Sequence, residues 1–337
     1  MSRYYTRVCN FYYGNHSKEL VNKKEAIPLH QIKKISFDQI EIISRRSKKK
    51  VFINQIKYLS KSLKKKINFD VEKIKSKKSN FSNLDFKELP NTLGVLNLTP
   101  DSFSDGGKFY KENKGVKHAI HLFNAGANLI DIGGESTRPG SKTVKESLEW
   151  SRISKVLKLL IKKKIPLSLD TRKSNIMKKG IDLGVQLIND VSGLNFDINT
   201  IDVLKKYKVP FVIQHSQGIP RNMQKNPTYK NELLDIYDFF EKKIKLIRSR
   251  GIKHNNIILD PGIGFGKNLK HNINLISKIS IFHSLGLPIL VGNSRKRFIK
   301  EISKQNDSKN RIGGTIASSI YLMMQGVQIL RIHDVNE

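Results

Sequence analysis

The chain has 337 residues, enough for one large domain or two medium ones, and its 62 Lys and Arg against 29 Asp and Glu leave a formal net charge of +33. Cys9 is the only cysteine, which excludes a disulfide framework and a thiolate metal site, and no apolar stretch reaches the roughly 18–20 residues that cross a bilayer. A surface this basic attracts phosphate, but lysine is scattered over six of the seven predicted helices and no aromatics interleave with arginine as a base-stacking platform needs, so nucleic acid is not the expected partner.

The start, MSRYYTRVCNFYYG, lacks the apolar core of a secretory signal, so a cytoplasmic setting is expected. Residues 1–90 carry 22 Lys and Arg against 8 Asp and Glu, with dense blocks at Arg45–Lys50, Lys61–Lys66 and Lys73–Lys78. Apolar groups such as Ile40–Ile43 and Val51–Ile56 lie between them, more than a disordered tail contains. The expectation for 1–90 is a partly ordered basic α+β extension of short strands with a helix near 54–65; its role is not legible.

From Leu93 onward, short apolar runs alternate with amphipathic stretches of helical length. The runs are Leu93–Leu96, Asn128–Ile130, Pro166–Leu169, Gln186–Ile188, Phe211–Ile213, Ile257–Leu259, Ile289–Val291 and Ile329–Leu330. Strand-then-helix repetition implies parallel strands, because each return to the same sheet edge needs a crossover. Eight such units match the size of a (β/α)8 TIM barrel of about 250 residues, assigned to 91–337. Helices are predicted near 116–127, 146–164, 174–184, 199–207, 231–250, 269–285 and 310–326. In the fifth, Leu233, Leu234, Tyr237, Phe240, Ile244 and Ile247 recur at helical spacing. The chain ends at Glu337, four residues after His333, so the α/β barrel is expected to lack its last helix.

The runs end at residues able to do chemistry: Asn97, Asp131, Asp170, Asn189, Gln214 with His215, Asp260, then Ser294 to Lys296, and Arg331 with His333. Active sites of such barrels lie at these carboxyl ends. After the first strand, NLTPDSFSDGGKF (97–109) has the composition of a lid loop or of an ordinary turn-rich one. After the second, DIGGESTRPGS (131–141) sets hydroxyls and Arg138 beside a glycine pair, a grouping suited to phosphate or carboxylate. Arg331 and His333 alternate by two, so on a strand both point the same way. Taken singly, Asp260 reads equally as a helix cap beside Pro261, and His333 as a structural histidine.

The phrases LGVLNLTPDSFSDGG, IDIGGESTRPGS, SLDTRK, LINDVSG, LDPGIGFGK, VGNSRK and RIHDV, in this order over about 92–337, resemble dihydropteroate synthase, of the pterin-binding barrel family. The resemblance implies a transferase of folate biosynthesis that joins 6-hydroxymethyl-7,8-dihydropterin pyrophosphate to para-aminobenzoate, releasing 7,8-dihydropteroate and pyrophosphate. It implies a pterin grip by Asp170, Asn189, Asp260, Gly292 and Lys296, with Phe265 against the ring. It implies a pyrophosphate site from Asn97, Arg331 and His333, with Mg2+ held at Asn97. Phe103, Asp105, Ser136, Thr137, Arg138, Pro139 and Arg297 fall to the two mobile loops and the para-aminobenzoate site. Catalysis is assigned to Asn97, Arg138, Lys296, Arg331 and His333. A homodimer is the family expectation, put in doubt by the absent last helix.

Arg297 stands where relatives often carry a small hydroxyl residue, Gln214 where an apolar one precedes the histidine, and Ile263 where an aromatic is frequent. Two other readings compete. One is a pterin-binding methyltransferase, against which stand the joint SRK and RIHDV phrases and the absence of a D-x-H-x-x-G corrinoid pattern. The other is an inactive barrel whose basic extension binds nucleic acid.

Overall fold

The computed structural model describes residues 3–99, 112–136, 138, 140–219 and 221–337. The basic segment folds as an antiparallel sheet with β1 (Tyr5–Tyr13), β2 (Ile27–Leu29), β3 (Ile32–Ile43) and β4 (Lys48–Phe52), plus helices α1 (Gly14–Asn22) and α2 (Lys61–Lys75). Strands β1 and β3 pair from Tyr5 opposite Ile43 to Tyr13 opposite Ile35. On the other edge of β3, Lys50 of β4 lies opposite Glu41, a favourable cross-strand pair. One sheet face and one side of α2 bury Val8, Phe37, Ile40, Ile67 and Ile74 together. The strands are therefore longer than predicted, and the expected helix near 54–65 is a 3-10 turn, Ile53–Tyr58, followed by α2.

The remainder is the α/β barrel. Its strands are β5 (Asn91–Asn97), β6 (Leu129–Gly133), β7 (Leu167–Asp170), β8 (Leu187–Asp190), β9 (Phe211–Gln214), β10 (Ile257–Asp260), β11 (Leu290–Val291) and β12 (Ile329–Ile332). They are joined by α3 (Glu112–Asn124), α4 (Glu146–Lys162), α5 (Ser174–Leu183), α6 (Thr200–Tyr207), α7 (Glu232–Ser249), α8 (Leu269–Ser277), α9 (Arg297–Ser303) and α10 (Ile312–Met323). All neighbouring pairs are parallel, in the order β10-β9-β8-β7-β6-β5-β12-β11. The ring closes through a bridge between Leu259 and Ile289, where Leu259 N donates to Pro288 O at 2.9 Å. Among the described residues no helix follows β12.

Helix α7 shows why the periodic stretches fold as they do. Asn231 caps it by accepting from Leu234 N at 3.1 Å, and Leu233, Leu234, Tyr237, Phe240 and Ile247 form the buried stripe. Helix α9 was not anticipated, and the single helix predicted over 269–285 is broken. Past Lys278 the chain tightens into a 3-10 stretch, Ile279–Leu285, all of it buried. The extension sheet packs on this stretch, and Ser280 Oγ donates to Val8 O at 2.8 Å.

The barrel floor is filled by Leu93, Leu129, Leu187, Val212, Ile258, Leu290 and Ile329, the early residues of their strands. Leu84 and Phe86 join this cluster from below. Apolar packing therefore occupies the amino ends of the strands, which leaves the carboxyl ends for polar groups.

Candidate active site

Three carboxylates, Asp131, Asp170 and Asp260, meet Arg331 and Lys296 towards the carboxyl ends of β6, β7, β10, β11 and β12. Arg331, on β12, donates from Nε to Asp131 Oδ2 at 2.5 Å and from Nη2 to Asp170 Oδ2 at 2.7 Å. Asn189 Nδ2 also donates to Asp131 Oδ2, at 3.0 Å, which leaves Asn189 Oδ1 and Asp131 Oδ1 buried without a partner among the described residues. Buried oxygens in that condition cost free energy unless a ligand donor meets them. Asn97 faces Asp170 across Gly133: a Cβ there would stand 3.6 Å from Asn97 Oδ1 and 3.6 Å from Asp170 Cβ.

The chemistry of these groups is set by burial. Burial pushes the Asp170 carboxyl up to about 8; Arg331 opposes the shift and the nearby Asp131 charge adds to it. It likewise pushes Asp260 up to about 6, against a hydrogen bond from Gly262 N at 2.8 Å. Lys296 is brought down to about 8, first by burial and then by the Arg331 charge. Its Nζ lies 4.3 Å from the centre of the Phe265 ring, so ring and ammonium form one wall.

Local structure delivers each group. The segment bearing Lys296 interlocks with the end of β12: Ser294 Oγ contacts His333 Nδ1 at 3.0 Å and Arg295 Nε donates to Asp334 Oδ2 at 2.9 Å. Burial and the charges of Arg295 and Arg331 hold His333 well below the ordinary imidazole range, which keeps it neutral. The Phe265 loop needs glycine, since at Gly262 (φ +67) a Cβ would lie 2.0 Å from His215 O. Buried Lys267 ties the loop down, donating to Gly262 O and Phe265 O, each at 2.9 Å.

With this geometry in hand, comparison with known proteins is decisive. A family described as "Pterin binding enzyme" matches residues 93–333. The dihydropteroate synthase of Escherichia coli (strain K12) is 38% identical over 249 residues, covering 74% of this chain and 88% of that protein. That of Clostridium beijerinckii is 39% identical over 267 residues, covering 79% and 94%. This chain belongs to the dihydropteroate synthase family. Two solved structures agree. The Yersinia pestis dihydropteroate synthase with a sulfonamide drug complex superposes with a TM-score of 0.72 at 40% identity, covering 75% of this chain and 91% of that one. The Xanthomonas albilineans dihydropteroate synthase in complex with 7,8-dihydropteroate gives 0.67 at 31% identity, covering 75% and 90%. The (β/α)8 barrel is thus the fold shared with this family.

The structure gathers Asn97, Asp170, Asn189, Asp260, Phe265, Gly292, Lys296, Arg331 and His333 at one end of the barrel. Gly292 faces the Arg331 side chain, with Arg331 Cβ 3.9 Å from where its own Cβ would be. Arg297 is turned elsewhere: it is exposed and bonds Glu301 on the next turn of α9 at 2.7 Å. Ser136 and Arg138 are half-buried in the loop after β6. Phe103, Asp105, Thr137 and Pro139 lie outside the described residues. Asp131 was given no role by sequence reasoning, although it stands where an apolar run ends. It is fully buried and shared by Arg331 and Asn189. Ser294, named at the end of its run, was given no role, and Lys267 was not singled out; both act on neighbours. Among the described residues no group of three or more His, Cys, Asp or Glu is placed to hold a metal ion, and no helix is long and apolar enough to cross a membrane.

Proposed function

We propose that this chain is a dihydropteroate synthase, a transferase of folate biosynthesis. It joins 6-hydroxymethyl-7,8-dihydropterin pyrophosphate to para-aminobenzoate and releases pyrophosphate. The observation that carries the reading is the buried polar set of Asp131, Asp170, Asn189 and Asp260, with half-buried Lys296 over the Phe265 ring. A pterin edge presents alternating N–H donors and acceptors, and unpartnered Asn189 Oδ1 and the Asp260 carboxylate suit the donors. Lys296 supplies a donor for the ring carbonyl and N5 side, and Phe265 an apolar face.

In the reaction the methylene C–O bond to the diphosphate breaks, and its electron pair leaves with pyrophosphate. The cation that remains is shared with the pterin ring. The amine of para-aminobenzoate attacks it, the C–N bond forms and the amine loses a proton. The attacking nitrogen is neutral and nucleophilic, so no strong general base is needed. Stabilising the separating charges is the main catalytic task. Arg331 spends two of its five donors on Asp131 and Asp170, which fixes its plane and leaves donors for the leaving diphosphate. Neutral His333 adds a hydrogen bond there, and Arg138, on the loop after β6, would serve the para-aminobenzoate side.

Mg2+ fits this donor set, because it binds through few protein oxygens and completes its shell with phosphate oxygens and water. Asn97 Oδ1 would hold it, and when bound it would neutralise charge on the diphosphate. A cytoplasmic setting belongs to the same proposal, supported by the lone, buried Cys9. So does a homodimer, supported by the exposed Ile316, Ile320 and Met323 of α10. The test is turnover: purified protein, both substrates and Mg2+ should give dihydropteroate and pyrophosphate. No product at high enzyme concentration would sink the reading.

A further inference from the structure

The loop that follows β6 leaves the barrel at Glu135 and returns to α4 at Glu146. Its two stems are joined by side chains that the proposed chemistry does not use. Glu135 Oε1 accepts from Val144 N at 2.9 Å, tying the outgoing stem to the returning one. Arg172, just past the end of β7, donates from Nε to Glu135 Oε2 at 2.9 Å. Its Nη2 donates to Glu135 Oε1 at 3.2 Å and to Thr143 Oγ1 at 2.8 Å. One carboxylate and one guanidinium therefore grip both stems at once.

The grip is built into the core of the molecule. Glu135 and Arg172 are both buried, and Lys173 lies 3.3 Å from Glu135 Oε1 while bonding Glu149. Thr171 Oγ1 donates to Glu149 at 2.6 Å. Two carboxylates face two cations, so the buried charge is balanced. The outer face of the Arg172 guanidinium lies 4.0 Å from the centre of the Phe196 ring, which stops the side chain swinging out. Thr143 and Phe196 are exposed, so neither bond is needed to fill the barrel core. A bidentate Arg–carboxylate pair fixes direction as well as distance, and lysine cannot reproduce it.

We propose that Glu135 and Arg172 form a staple that positions Arg138 for para-aminobenzoate, making Arg172 a specificity-determining residue that never touches substrate. Arg138 sits three residues beyond Glu135, inside the stapled loop. The proposal rests on the dihydropteroate synthase reading for its substrate and on geometry alone for the staple. With the stems free, Arg138 samples more positions, and the substrate it meets is bound less well. The pterin grip, built on β7, β8, β10 and the Lys296 segment, is left in place.

Two measurements test this on the full chain. In hydrogen–deuterium exchange, Arg172→Ala should speed exchange in residues 135–145, Val144 above all, while the strands of the barrel keep their protection. In steady-state kinetics the same variant should raise KM for para-aminobenzoate about 10-fold or more and leave KM for the pterin substrate within about twofold, since small misplacements of positioning groups cost rate steeply. Thr143→Val, which removes a single part-buried hydrogen bond, should move both readouts the same way by a smaller factor. Arg172→Lys should not restore the wild-type values. Unchanged exchange at 135–145 would overturn the staple. Faster exchange with an unchanged KM for para-aminobenzoate, or with both KM values raised alike, would overturn its role. If the wild-type protein shows no turnover, the functional reading fails, while the exchange result still decides whether the staple exists.

Discussion

Asp260 shows how one residue combines the roles of cap and ligand. Its Oδ1 accepts from Gly262 N, as a turn-forming aspartate would, yet burial raises its carboxyl to about 6. The pterin edge donates hydrogen bonds, so binding requires the carboxylate. The folded-state value is raised above the usual carboxylate range, so the contribution of Asp260 to pterin affinity should be present above about pH 6 and lost as pH drops through it. Asp190 is also raised to about 6 by burial, and its Oδ1 accepts from Ser192 N and Oγ. Asp260→Asn separates the two: it keeps an acceptor for Gly262 N, so the fold should persist. It should weaken pterin binding by about 10- to 100-fold, the worth of a charge-assisted hydrogen bond, and flatten the acid limb. Calorimetric titration across pH 5–8 reads both, and an unchanged dissociation constant refutes the role. Asp260 was legible in the sequence because the apolar run before it stops there. Asp131 was equally visible, but its partner Arg331 is 200 residues away, and only closure of the barrel brings them together.

Among the elements, the barrel strands and helices were legible because each apolar run or amphipathic stripe has a local period. What escaped was structure fixed by long-range packing. The 3-10 stretch Ile279–Leu285 reads as helix until the extension sheet presses on it. The extension looked only partly ordered because Lys48, Lys49 and Lys50 form a strand solely by pairing with β3. The same long-range packing locates residues 81–89, which read as the tail of the extension. Leu84 and Phe86 are 1% and 3% exposed and plug the barrel floor against Leu93, Leu129 and Ile258. Phe86→Ala should therefore lower stability by about 3–5 kcal/mol, the usual cost of such a cavity, with site chemistry unaltered in the surviving fold. Removing residues 1–88 should be worse than removing 1–79, since only the longer deletion opens the floor. Denaturant midpoints for the two deletions and the point variant check this; equal midpoints for the deletions would show that the plug adds nothing.

On the scale of the whole molecule, the charge of +33 and the buried lysines pull in one direction. Burial lowers Lys78 to about 7, Lys267 to about 7 and Lys296 to about 8. Unfolding would return each to the ordinary lysine range, near 10.4. Between those limits these three lysines bind more protons in the unfolded chain than in the folded one, so their contribution to stability rises with pH through that window. The burial penalty is full below about pH 7, where all three ammonium groups must be carried inside. Self-repulsion of the surplus positive charge also relaxes as pH climbs. Both effects predict a Tm that increases from pH 7 to 9.5, the reverse of the more common neutral optimum. Lys267→Met should flatten part of that rise, because it removes one titrating ammonium. The same variant leaves Gly262 O and Phe265 O without their donor, so its pterin affinity should fall even where its Tm does not. Calorimetric melts of both proteins at fixed ionic strength decide the matter. A wild-type Tm that is flat or falls over this range would mean that the buried lysines keep their ordinary proton affinity, held by the carbonyl oxygens around them.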